Sequence, residues 1–204
     1  MAVDTAFLIT SFVTLFVIID PIGLMPIFIA FTPGMTAQQR RAVAFRACII
    51  SFFILALFAF FGEAVLGFVG ISMAAFKIAG GILLFLTALD MLFERRQERR
   101  EGRVTDLPDP SVFPLAIPMI AGPGSIATVI LLSGQIEGIQ GPFLVLGVAI
   151  CVMLVAVLLF LASNLIEHAL GDIGINVVTR LLGMLLAALS IQFVLDGLKD
   201  FGFV

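Results

Sequence analysis

The chain contains no Trp, no Tyr, one His and two Cys, and only 12% of its 204 residues are charged. Each shortage closes off a class of protein. Soluble domains carry about 25% charged residues, so this sequence cannot supply an ordinary water-facing shell. The two thiols, Cys48 and Cys151, sit in separate apolar runs without C-x-x-C spacing. With His168 as the single imidazole they suggest neither a disulfide framework nor a metal site. His168 has no companion pointing to a nucleophile dyad, and no Gly-Lys-Ser/Thr follows a glycine-rich stretch, so hydrolase and nucleotide-driven chemistry find no support. No enzymatic activity and no cofactor are expected. A net charge of −3 and a pI near 5.0 offer nothing to nucleic acid. Without Trp and Tyr the usual aromatic belt at membrane interfaces is missing, and orientation has to be read from charge.

What the chain does have is hydrocarbon. Hydrophobic residues make up 61%, Phe alone accounts for 21 positions, and the mean hydropathy is +1.23. That composition predicts a polytopic membrane protein. The first stretch, MAVDTAFLIT, has no Lys or Arg, and its apolar run continues past residue 30. It therefore predicts a retained span rather than a cleavable signal. Spanning helices need about 20 apolar residues. Six segments qualify, at 5–31, 42–68, 71–93, 112–133, 142–166 and 174–198. The connection between the first two holds Arg40 and Arg41, with Arg46 just inside the second segment. The long connection from Glu94 to Ser111 holds Arg95, Arg96, Arg99, Arg100 and Arg103. The loops between segments two and three, and four and five, hold no Lys or Arg. Cytoplasmic loops collect these residues, so both basic connections are expected inside and both termini outside.

The two halves repeat. The stretch from Glu63 to Ser72, EAVLGFVGIS, matches the stretch from Glu167 to Asn176, EHALGDIGIN, at an offset of 104 residues. A shift to 103 then aligns Lys77 with Arg180, Gly80 with Gly183, Leu83 with Leu186, and Cys48 with Cys151. Three spans is an odd number, so a second copy must enter the membrane inverted, the layout of many secondary transporters. The expected fold is an all-α polytopic membrane protein of two inverted three-helix repeats. Residues 1–93 form the first repeat, 94–111 a cytoplasmic linker, and 112–204 the second repeat.

Such transporters place their sites on helices broken near the membrane middle. Matching interruptions occur in segments one and four: Asp20-Pro21-Ile22-Gly23 followed by Pro26, and Ala121-Gly122-Pro123-Gly124-Ser125 preceded by Pro114 and Pro118. Freed backbone groups cannot face lipid and must face each other, water or ligand. Helix N-termini attract a carboxylate, and few ionisable side chains lie nearby. The candidate site is therefore Asp20, Pro21, Gly23, Pro26, Gly122, Pro123, Gly124, Ser125 and Thr128, for a small neutral amino acid. Asp20 has two readings. It can be the N-cap that restarts the helix ahead of Pro21, which we favour, or a proton carrier. Two plain proline kinks are the bland alternative. Glu63, Glu167, Lys77, Arg180, Asp90 and Asp196 are read as interfacial, with the two bases free to snorkel or to pair with the glutamates. Thr14, Ser51, Thr87, Asn164, Ser190 and Gln192 either line a polar path or bond between helices.

These motifs, with Lys77-Ile78-Ala79-Gly80-Gly81-Ile82-Leu83-Leu84 and Gln192-Phe193-Val194-Leu195-Asp196-Gly197, resemble the signature stretches of the MarC family of integral membrane proteins over nearly the whole chain. The resemblance implies a multi-pass protein of the bacterial or archaeal cytoplasmic membrane. Its SnatA-like branch carries small neutral amino acids such as alanine and glycine, coupled to protons. Two other classes stay open: a non-transporting regulatory or scaffold protein, and an intramembrane thiol relay through Cys48 and Cys151.

Overall fold

The computed structural model describes residues 5–93, 109–136 and 138–202, and in it the side chains of Glu167, His168, Leu170 and Asp172 also fall outside the described set. The linker arginines from Arg95 to Arg103 and the readings placed on Glu167 and His168 lie outside the described residues. Helices and turns account for the rest, with no strand among the described residues.

Helices α1 (Thr5–Ile19) and α2 (Pro21–Phe31) follow one another across Asp20 and together make one candidate span. Helix α3 (Ala37–Val69) begins earlier than the apolar run does. A capping box starts it: Gln39 N–H donates to Thr36 Oγ1 at 3.3 Å, and Thr36 N–H donates to Gln39 Oε1 at 2.8 Å. Gly70, at φ 81°, ends it in the left-handed conformation that glycine adopts without a Cβ penalty. Helix α4 (Met73–Leu92) starts under a Ser72 cap, with Ala75 N–H donating to the Ser72 hydroxyl at 3.2 Å. Helix α5 (Ser111–Ile120) is wide and irregular, with Phe113 and Ile117 extended. Both precede proline, whose ring disfavours helical backbone in its predecessor. Helix α6 (Pro123–Ser133) leaves α5 at a bend of 55°.

The last element, α7 (Gln140–Phe201), runs for 62 residues. At 1.5 Å per residue, and with a hydrocarbon layer about 30 Å thick, that is far too long for one crossing. Gly171, at φ 62° and ψ 173°, interrupts it and separates two candidate spans, Gln140–Ile166 and Ile173–Phe201. Among the described residues, five helical stretches are long and apolar enough to cross a membrane, and the bent α5–α6 pair makes a sixth if it counts as one span.

The core is apolar, but so is much of the exterior, and several polar side chains are buried. Phe53, Leu158, Leu165 and Leu185 are exposed, while Ser11, Thr14, Asp20, Ser51, Ser125 and Thr128 are buried. Lipid is the solvent that favours this arrangement, since it accepts hydrocarbon and rejects polar groups. The spans are not equally central. The most apolar stretch of Thr5–Phe31 is 61% buried and that of Gln140–Ile166 is 50% buried, against 28% for α3, α4 and Ile173–Phe201. The first span, which carries Asp20, is thus enclosed by the others.

Helix α4 packs antiparallel to the second half of α7 through glycines. A Cβ on Gly81 would lie 2.7 Å from the Ser190 carbonyl oxygen, and one on Gly197 would lie 2.9 Å from that of Ala74. A Cβ on Gly183 would lie 3.0 Å from Met91 Cβ. Small residues allow such close backbone approach where no hydrophobic force drives helices together. The antiparallel register also sets the partner of Lys77. Its ammonium pairs with Asp200 at 2.6 Å rather than with a glutamate, because the start of α4 lies beside the end of α7.

Candidate functional site

Asp20 sits between α1 and α2 at φ 52° and ψ 61°, the one non-glycine residue with positive φ among those described. Left-handed backbone costs most residues roughly 1–2 kcal/mol, and Asp tolerates it because its short side chain can bond locally. Here Oδ1 accepts the Gly23 N–H at 3.0 Å, the N-cap bond. The backbone bridges the break on both sides: Asp20 N–H donates to Phe16 O at 2.9 Å, and Leu24 N–H donates to Asp20 O at 3.0 Å. Asp20 is 1% exposed. Gly23 is required beside it, since a Cβ there would run into the Asp20 carboxylate. Pro21 is buried at the first helical position, and Pro26 lies inside α2.

The second break is built without a carboxylate. Ser125 is 3% exposed, and its hydroxyl ties three residues together. It accepts the Gly122 N–H at 3.0 Å and donates to Ile120 O at 2.6 Å. Ala121 N–H donates back to Ala116 O at 2.8 Å, closing the wide last turn of α5. A Cβ on Gly122 would strike the Pro118 carbonyl.

The two breaks adjoin. A Cβ on Gly124 would lie 2.9 Å from Ile18 Cδ1 and 3.5 Å from Leu84 Cδ2, so the start of α6 lies against the end of α1, two residues before Asp20. Thr128 is one turn beyond Gly124 on the same face of α6, and Ser11 lies on the face of α1 that carries Ile18, two turns before it. Both are fully buried, and neither hydroxyl has a partner among the described residues. Thr128 was expected in the site. Ser11 was not singled out, and its burial without a partner among the described residues is a feature that only the fold reveals.

Most of the polar residues read along the spans have a local bond. Thr14, Ser51, Thr87 and Ser190 donate to carbonyls three or four residues back, at 2.8, 2.8, 3.0 and 2.6 Å. Gln192 Nε2 donates to Asp196 at 2.9 Å. Ser51 also reaches across to the Ala116 carbonyl of α5 at 3.5 Å, and Asn164 bonds between helices: Arg40 donates to it at 3.0 Å and to the buried Ser163 hydroxyl at 3.1 Å. The same guanidinium lies 5.3 Å from the Phe28 ring centre, and Phe28 stacks on Phe160 at 4.9 Å. This knot joins α2, α3 and α7, and the sequence reading missed it. The thiols are differently placed, Cys48 buried and Cys151 exposed.

Outside the spans, Asp109 precedes α5. Its Oδ1 accepts both the Ser111 hydroxyl at 2.6 Å and the Ser111 N–H at 3.0 Å, and its other oxygen pairs with Arg46. The Ser111 hydroxyl, more than Arg46, holds this carboxyl below its usual range, against a smaller opposing effect of burial.

A "UPF0056 membrane protein" of Archaeoglobus fulgidus is 39% identical over 199 residues, covering 96% of this chain and 93% of its own. The "UPF0056 membrane protein YvbG" of Bacillus subtilis is 39% identical, covering 95% of each. A third, from Aquifex aeolicus, is 34% identical over 93% of this chain and 91% of its own. No solved structure matches. The model of the "MarC family integral membrane protein" matches residues 5–201, so the enclosed first span, the bent fourth and the lipid-facing hydrocarbon belong to a member of the MarC family of integral membrane proteins.

Proposed function

We propose that this protein is a secondary transporter of small neutral amino acids of the alanine and glycine type, coupled to protons. It carries no catalytic chemistry of its own on this reading. The observation that carries the proposal is the contact of Gly124 with Ile18, which sets the second break beside the first. Two helix N-termini supply N–H groups for a carboxylate. The buried hydroxyls of Ser11 and Thr128 are the polar partners on offer, and the apolar side chains around them favour a neutral substrate side chain. Asp20 is the one carboxylate at the contact, and so the candidate for coupling.

The reading includes two inverted three-helix repeats, 1–93 and 112–204, joined by a cytoplasmic linker, with both termini outside. The matching Glu-x-x-Leu-Gly-x-x-Gly-Ile runs support it. So does the antiparallel packing of α4 on the second half of α7, the direction that inverted counterparts must take. Substrate would be bound alternately from the two faces of the membrane at the contact between the breaks.

The test is flux. Purified protein in liposomes, given an inward proton gradient, is expected to accumulate labelled alanine or glycine. Accumulation should collapse with a protonophore while exchange persists. Absence of flux for every amino acid in a competition screen would leave the non-transporting reading in its place.

A further inference from the structure

At the end of the bundle where α3 finishes, a cavity of about 470 Å³ lies away from both breaks. Its walls come from α3, the last turn of α6 and the start of α7. Phe60, Phe61, Ile130 and Pro142 supply apolar surface, and Glu63 and Ser133 supply the side-chain polar groups. The volume is that of pockets that take small organic molecules, apolar walls with a few placed polar groups.

Glu63 is the one charged side chain among the described lining residues, while the start of α7 brings helix N-terminal N–H groups of the opposite partial sign. Glu63 is a carboxylate with no hydrogen bond or ion pair among the described residues. Ser133 is 6% exposed, and its hydroxyl has no partner among the described residues, so it is desolvated without compensation. The wall formed by Ile130, Ser133 and Gly134 is the C-terminal end of α6, where the last carbonyls carry partial negative charge. The base at the start of α4, Lys77, is already paired with Asp200. Phe60 stands edge-on to Phe143 at 5.2 Å, and aromatic faces attract cations.

We infer that this cavity binds the ammonium group of a small amphipathic amine, with Glu63 as counter-ion, the Ser133 hydroxyl as acceptor, and the Phe60 and Phe61 rings against the apolar body. An anion would meet the full charge of the Glu63 carboxylate and the C-terminus of α6, against only the partial positive charge at the start of α7, and a purely apolar guest would leave both polar side chains unanswered. The shared chemistry, a primary ammonium on an apolar stem, occurs in free amines and in the ethanolamine headgroup of lipids. The inference stands apart from the transport reading, because it concerns neither break.

The experiment measures binding of phenethylammonium to the purified full chain in nanodiscs of phosphatidylcholine. Saturable binding is expected, at least tenfold weaker in Glu63→Gln and several-fold weaker in Ser133→Ala. The uncharged isostere 2-phenylethanol should compete at least tenfold less well. Glu63 is exposed, so its amide variant is expected to stay folded, and an unchanged melting temperature checks this. Competition by added phosphatidylethanolamine would assign the site to a lipid headgroup, and absence of competition to a free amine; both retain the ammonium. Equal binding by wild type and Glu63→Gln, equal binding of the alcohol, or no binding by the wild type would each overturn the inference.

Discussion

The two helix breaks do the same structural work by different chemistry. At the first, a carboxylate caps α2 from a left-handed backbone position, and α1 and α2 continue as one span. At the second, a serine hydroxyl gathers Ile120, Gly122 and its own turn, and the chain bends by 55°. A hydroxyl can satisfy a donor and an acceptor, but only a carboxyl changes charge within the physiological range of a perturbed acid. On the proposed reading, a proton taken up at this contact would belong to the first half, and the second would supply geometry alone. The asymmetry is what a duplicated unit needs if one copy binds and the other also couples.

The largest expected effect comes from forcing the breaks apart. Gly124→Leu places a branched side chain where a Cβ alone would lie 2.9 Å from Ile18, and Gly23→Leu drives into the Asp20 carboxylate. Each is expected to cut alanine flux to below a tenth of wild type while the protein still inserts. Flux at the parental rate in Gly124→Leu would remove the contact from the mechanism.

Asp20 sharpens the comparison most directly. Asn tolerates left-handed backbone and keeps a capping oxygen, whereas Ala does neither, at a cost of roughly 1–2 kcal/mol for the backbone and about 1 for the cap. Asp20→Ala is expected to melt several degrees lower than Asp20→Asn. If Asp20→Asn keeps uphill accumulation, the carboxylate is a cap; if it loses accumulation but retains exchange, the carboxylate carries the proton. Ser125→Ala should have a smaller effect, about 1–3 kcal/mol for the buried Gly122 N–H left without its acceptor. It should leave the pH dependence of flux unchanged, since no titrating group is lost.

The smallest effect lies outside the spans. The Asp109 carboxyl is held below its ordinary value, near 3.8, by the Ser111 hydroxyl and Arg46. Its contribution to stability is therefore fully present above that value and disappears as pH falls through the lowered one. Because both ion-pair partners are well exposed, the contribution is only about 0–1 kcal/mol. Melting temperatures of wild type and Asp109→Asn should differ slightly at pH 7 and converge on acidification toward pH 2.

The spans themselves could be read from hydropathy, because in lipid an apolar run of sufficient length has one outcome. The first segment, expected at 5–31, is Thr5–Phe31, and the third, expected at 71–93, is Met73–Leu92. The start of α3 was placed five residues late, at 42, since Gln38, Gln39, Arg40 and Arg41 hide a helix from hydropathy; Thr36 and Gln39 marked it through the capping box. The breaks were visible as Pro and Gly in matching places, whose backbone consequences are local. Pairings across the fold were not. Arg40 with Asn164 and Lys77 with Asp200 join residues more than a hundred positions apart, and nothing local to either sequence selects the partner.

Helix α2 is anchored at both ends, by Asp20 above and by the Arg40–Phe28–Phe160 knot below. It is therefore a lever with a fulcrum and a latch. Phe28 lies eight residues from Asp20, about 12 Å along the axis, so a swing of about 20° at Asp20 would carry its ring through about 4 Å. That distance is comparable to the whole separation between the stacked rings, 4.9 Å. A small angular change at the buried carboxyl would thus be enough to unstack Phe28 from Phe160 and draw it from under Arg40. The stacking of Phe28 on Phe160 under Arg40 would oppose any such turn of α2.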